Sequence, residues 1–134
     1  MALIVLQILP LIQRSLTLSS PAQRTNVIHA LTSILETPSS PSTDTIFHSS
    51  ASSLVSALLA SSIPSPETST SSKVRQSALS CLAIIPDTIR FEVLHKQKAE
   101  VIKELGKAVD DRIRDVRKEA VECRARWYRY GQAT

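Results

Sequence analysis

Glycine is almost missing from this sequence: Gly106 and Gly131 are the two in 134 residues. That excludes glycine-rich phosphate loops and removes the turn residue on which tight hairpins and β-barrels depend. Aromatic residues are nearly as scarce, at 4% of the chain, and Trp127, Tyr128 and Tyr130 lie together near its C-terminal end. Two cysteines, Cys81 and Cys123, make neither a disulfide framework nor a zinc site by themselves. They fit a reducing compartment such as cytosol or nucleus. Sustained period-2 alternation is absent, so essentially no sheet is expected. The longest apolar run, ALIVLQILPLI at 2–12, is well short of the ~20 residues a membrane span needs. It also lacks the basic start and small-residue cleavage site of a signal peptide. The run reads as a core helix whose covering partner lies upstream, in a chain that is the C-terminal piece of something longer.

What is present is serine, aliphatic residues and unevenly placed charge. Serine concentrates between residues 15 and 80. Residues 1–72 carry Arg14 and Arg24 against Glu36, Asp44 and Glu67, whereas residues 73–134 carry fourteen Lys/Arg against nine Asp/Glu. The basic character therefore belongs to the C-terminal half, interleaved with acids as a mixed surface rather than a polybasic arm.

Apolar spacing traces six helices. The first covers about 2–18 with Pro10 inside it, and the second 22–36. A Ser/Pro linker at 37–43 leads to the third, 44–62, with Thr43 or Asp44 as N-cap. A polar, proline-containing loop at 63–72 follows. The fourth helix, 73–85, stops at Pro86. The fifth covers 90–109, the pair Asp110-Asp111 marks a turn, and the sixth covers 113–130.

The even-numbered helices repeat one another. With Arg24, Arg75 and Arg117 aligned, Val27, Ala78 and Ala120 follow three residues later, and Ile28, Leu79 and Val121 four later. Ala30, Cys81 and Cys123 come six later, and Ile34, Ile85 and Trp127 ten later. The arginine spacings are 51 and 42 residues. HEAT and armadillo repeats have periods of about 40–47, and serine-rich loops lengthen the first spacing. One hairpin cannot bury both apolar faces, so the hairpins must stack. The expected fold is all-α: a single-domain, right-handed α-solenoid of three HEAT-type hairpins at about 1–36, 43–86 and 90–130.

The string KQKAEVIKELGKAVDDRIRDVRKEAVECRARWYRYG at 96–131 carries a resemblance. Its features are His95-Lys96, Val101-Ile102, Asp110-Asp111, the run Val116 to Val121, a final base at Arg124 or Arg126, then Trp127 and Gly131. Val74-Arg75 with Ala78-Leu79 and Cys81-Leu82 fits the preceding repeat. These residues resemble the C-terminus of the large HEAT-repeat scaffold family of the cytosolic iron–sulfur assembly targeting complex. The same family is known as the methyl-methanesulfonate-sensitivity DNA-repair and transcription proteins. The resemblance is specific over the C-terminal half. It implies a non-catalytic adaptor of cytoplasm and nucleus that docks a β-propeller subunit and a small DUF59-type subunit. Through them, clusters reach apoprotein clients of DNA repair, replication and telomere maintenance.

Residue chemistry alone points away from a site that does chemistry. A cluster takes four ligands, and the two cysteines fall at equivalent apolar positions, where Cys acts as a small hydrophobe. His29, His48 and His95 lie on three different helices without ligand spacing, and no nucleophile elbow accompanies any serine. No catalytic residue, metal or cofactor is expected. Asp110 and Asp111 are expected to cap the next helix and pair with Arg75 or Arg117. Asp111, Arg117, Lys118, Glu119, Arg124, Trp127 and Tyr128 form the expected partner-binding surface, because Trp, Tyr and Arg dominate interface hot spots. Trp127 is expected to be core with an exposed edge, and Tyr130 to be among its more exposed neighbours. The alternative is a generic HEAT-repeat protein-interaction or nucleic-acid-binding module, and the interleaved acids disfavour nucleic acid. The uncovered run Leu3, Ile4, Val5, Leu6, Ile8 and Leu9 predicts self-association through the N-terminal edge.

Overall fold

The computed structural model describes residues 21–36, 41–63, 71–89 and 91–132. The helix expected at 2–18 and the apolar run within it lie outside these residues, as do His48's side chain and most of both Ser/Pro loops. Among the described residues there are helices and no strand. In chain order they are α1 (Pro21–Glu36), α2 (Pro41–Ser62), α3 (Ser72–Thr88), α4 (Phe91–Leu94), a 3₁₀ turn (His95–Gln97), α5 (Lys98–Ala108) and α6 (Arg114–Arg129).

The helices form two rows. α1, α3 and α6 make one, with α3 packed between the other two; α2 contacts α4 and α5 in the second. Within hairpins, α2 packs on α3 and α5 on α6. This is the stacked-hairpin arrangement of a helical solenoid, and it follows from the repeat: each hairpin finishes burying its apolar faces on the next.

The core is built from short aliphatic side chains. Ile28, Leu31 and Leu35 of α1, Leu54 and Leu58 of α2, and Val74, Leu79 and Leu82 of α3 are buried. Ala78 and Ala120, equivalent in the repeat, are both fully buried, and their small size lets neighbouring helices approach. Val27, Ala30 and Ile34, the same line on α1, stay partly or fully exposed among the described residues. Serine is tolerated inside helices by bonding back to the chain. Ser61 Oγ donates to the Ala57 carbonyl at 3.0 Å and Ser62 Oγ to that of Leu59 at 2.7 Å.

Three boundaries differ from expectation. α2 begins at Pro41 rather than after Thr43, as proline, lacking an amide hydrogen, is at home in a first helical turn. α3 does not stop before Pro86 but runs through it to Thr88. The expected single helix 90–109 is broken after Leu94, whose φ of −113° and ψ of 6° leave the α region.

Candidate functional site

Two anchors set the last hairpin in place. The first is a buried ion pair. Arg75, on α3, donates from Nε to Asp111 Oδ2 at 2.7 Å and from Nη2 to Oδ1 at 3.2 Å. Asp111 Oδ1 also accepts the Ile113 amide at 2.9 Å, just before α6 starts. Burial raises the Asp111 carboxyl pKa, but the Arg75 and Ile113 hydrogen bonds outweigh it and hold the group below its ordinary value. The expected acid–arginine clamp therefore exists, between one repeat's helix and the next repeat's turn. Asp111 is 3% exposed, which removes it from the expected partner surface.

The second anchor starts from Pro86. Proline has no N–H, so the Leu82 carbonyl four residues earlier loses its helical donor. Trp127 Nε1 of α6 donates to that carbonyl at 2.9 Å in the buried interior. Arg126 Nη1 approaches the next carbonyl, Ala83, at 3.4 Å. Trp127 is fully buried, so its expected exposed edge is absent and it too leaves the partner surface. Tyr130, expected to be exposed, is 6% exposed. Its ring meets Phe91 and Trp127 edge-on, at 5.2 and 5.4 Å between centroids, and its hydroxyl donates to the Ile89 carbonyl. Lys98 Nζ donates to the Tyr128 and Tyr130 carbonyls at 3.0 and 2.8 Å and closes the end of α6. The signal for Trp127 was available: a proline inside an otherwise regular helix creates a buried acceptor that needs a side-chain donor.

The remaining expected residues lie along α6. Lys118 and Tyr128 are exposed; Arg117, Glu119 and Arg124 are half-buried. Arg117, Val121, Arg124 and Tyr128 share one stripe, by their spacing of three or four residues. Their equivalents in α3 are Arg75, Leu79, Leu82 and Pro86, the line that faces α6. Leu79 and Leu82 are fully buried there, while Val121 is 56% and Tyr128 46% exposed. No helix among the described residues covers this face of α6. A groove of about 530 Å³ runs beside it, lined by Val109, Arg114, Arg117, Lys118 and Val121.

Charge on the stripe is one-signed. Arg117 Nη1 donates to the carbonyls of Asp111 and Arg112, at 2.9 and 3.0 Å, and not to a carboxylate. Among the described residues no carboxylate pairs with Arg114, Lys118 or Arg124 either. Arg124 lies over the Tyr128 ring at 5.5 Å, and its buried Nε has no hydrogen-bond partner. Val121 is a residue that sequence reasoning missed, since its repeat position reads as core.

Neither cysteine is a surface nucleophile. Cys81 and Cys123 are fully buried. Burial pushes the Cys81 thiol to about 11 and raises that of Cys123 still further. Among the described residues no three His, Cys, Asp or Glu side chains come together as a metal site. His29 Nε2 lies 3.2 Å from Ser77 Oγ, and His95 Nδ1 lies 3.0 Å from the Glu92 carbonyl. No helix among the described residues is long and apolar enough to cross a membrane.

Two rows of stacked hairpins, clamped across repeats by Arg75 and Asp111, define a HEAT-type α-solenoid segment. The chain belongs to the RNAPII transcription regulator C-terminal family, whose model matches residues 5–86. That match lies upstream of the string at 96–131, so the likeness is not confined to the C-terminal half. The chain is also similar to the MMS19 nucleotide excision repair protein homolog of Dictyostelium discoideum, at 32% identity over 127 residues. The alignment covers 91% of this chain and 10% of that relative, so the chain spans a tenth of the relative's length.

Proposed function

We propose that this segment is a non-catalytic docking scaffold of the cytosolic iron–sulfur assembly machinery, working in cytoplasm and nucleus. Its partners are the β-propeller and DUF59-type subunits of the targeting complex, which bring clusters to apoproteins of DNA repair, replication and transcription. The observation that supports it is the outer face of α6, where Val121 and Tyr128 are exposed and Arg117 and Arg124 half-buried, while Arg75, Leu79 and Leu82 at the equivalent α3 positions of Arg117, Val121 and Arg124 are buried. Aromatic and arginine side chains on such a face are the material of interface hot spots. The family description and the relative's name, one a transcription regulator and the other a repair protein, agree with the client set.

The test is a pull-down of the purified chain against the two subunits. Lys118→Ala with Arg124→Ala is expected to weaken capture at least about tenfold, a loss of about 1.4 kcal/mol, with the helical spectrum unchanged. Binding that survives this pair, and is abolished by replacing Lys103 and Lys107 on α5, moves the interface to the other row.

A further inference from the structure

The Arg75–Asp111 clamp shows what one repeat offers the next: an arginine that receives a carboxylate, with a buried aliphatic line beside it. α6 makes the same offer. Arg117 occupies the register of Arg75, and Val121 that of Leu79. Yet among the described residues Arg117 meets only backbone carbonyls, and Val121 faces the open groove. Resting on the scaffold reading above, we propose that this groove receives a partner protein's acidic turn. An Asp or Glu of the partner would sit on Arg117 as Asp111 sits on Arg75, and a neighbouring aliphatic side chain would sit against Val121 and Val109.

Charge complementarity selects this occupant. Arg114, Arg117 and Lys118 line the groove with no paired carboxylate among the described residues. A second copy stacked head to tail does not supply the acid. Asp111 precedes Arg117 by six residues, and the position six before Arg24 is Leu18. Residues 1–35 hold no Asp or Glu at all. Nucleic acid fits less well, because Val109 and Val121 give the groove an aliphatic wall, and Asp110 and Asp115 stand exposed close by.

The experiment measures affinity of the full chain for each of the two targeting-complex subunits, using the parent, Arg117→Ala, Val121→Glu and Val121→Lys. Val121 is more than half exposed, so both of its variants keep the fold. Arg117→Ala and Val121→Glu are expected to lower affinity about tenfold or more, and Val121→Lys no more than about threefold, because only the glutamate repels a carboxylate. Equal losses for Val121→Glu and Val121→Lys overturn the acidic occupant. Unchanged affinity in all three variants overturns the groove while the scaffold reading stands. A parent that binds neither subunit removes both. Duplex DNA binding that Arg117→Ala abolishes, with steep salt dependence, replaces the partner with nucleic acid. Self-association that Val121→Glu abolishes replaces it with a second copy.

Discussion

Trp127→Phe separates what the indole packs from what it donates. The substitution keeps an aromatic ring against Tyr130 but deletes the N–H that reaches the Leu82 carbonyl at 2.9 Å. Pro86 provides no amide to replace it. A buried acceptor left unsatisfied costs about 1–3 kcal/mol, and the smaller ring forfeits roughly another 1 kcal/mol of burial. The sum, about 3 kcal/mol, corresponds to a fall in melting temperature on the order of 10 °C for a domain this size. The same change in a Pro86→Ala background is expected to cost only the packing share, about 1 kcal/mol, because alanine restores an amide to the helix at that position. Urea unfolding of the four proteins, followed by far-UV circular dichroism, gives the coupling directly. Equal costs of Trp127→Phe in the two backgrounds refute the account of Pro86 as the origin of the bond. Trp127→Ala, which also opens a cavity, is expected to cost more than Trp127→Phe.

Asp111→Ala is expected to lower stability by about 3 kcal/mol, because it strips a buried arginine of its carboxylate; urea unfolding reads the loss directly. The Asp111 pKa is depressed in the fold, so its contribution is present above the ordinary value of 3.8 and lost as pH falls through and below it. Melting temperatures of the parent measured from pH 6 downward should fall through that window, and those of Asp111→Asn should fall less. Gly131 sits at φ +80°, where an added Cβ would lie 2.5 Å from the Phe91 ring. Gly131→Ala is therefore expected to destabilise by more than the ~1 kcal/mol of backbone strain alone, which thermal melts check. The fully buried thiols of Cys81 and Cys123, raised to about 11 and beyond, should resist iodoacetamide at neutral pH in the folded chain. Mass spectrometry should find both alkylated only after denaturant is added.

Much of the fold was legible because helix pairing here is written locally. Arg24, Arg75 and Arg117 mark the register, and the apolar residues three, four and ten positions later fix which stripe must be covered. Helix ends were legible where a residue's own backbone chemistry decides them. They were misread where a distant group intervenes. Pro86 looks like a stop until Trp127, 41 residues away in sequence, satisfies the carbonyl that the proline leaves open. The break after Leu94 left no mark in the apolar spacing.

The candidate surface divides along the same line. Composition and spacing by themselves placed the charge, the arginines and the aromatics on one helix. They also predicted an acid in the turn before that helix pairing with an arginine of its own or a neighbouring repeat. Only the tertiary structure decided which of those residues face outward. Asp111 and Trp127 turn inward because Arg75 and Leu82 supply buried partners from the preceding repeat. Val121 turns outward although its two repeat equivalents, Ile28 and Leu79, are fully buried. The physical reason is that a side chain's burial depends on whether another helix lies across it. A repeat specifies the face that seeks a neighbour, while the presence of that neighbour is a property of the assembled stack.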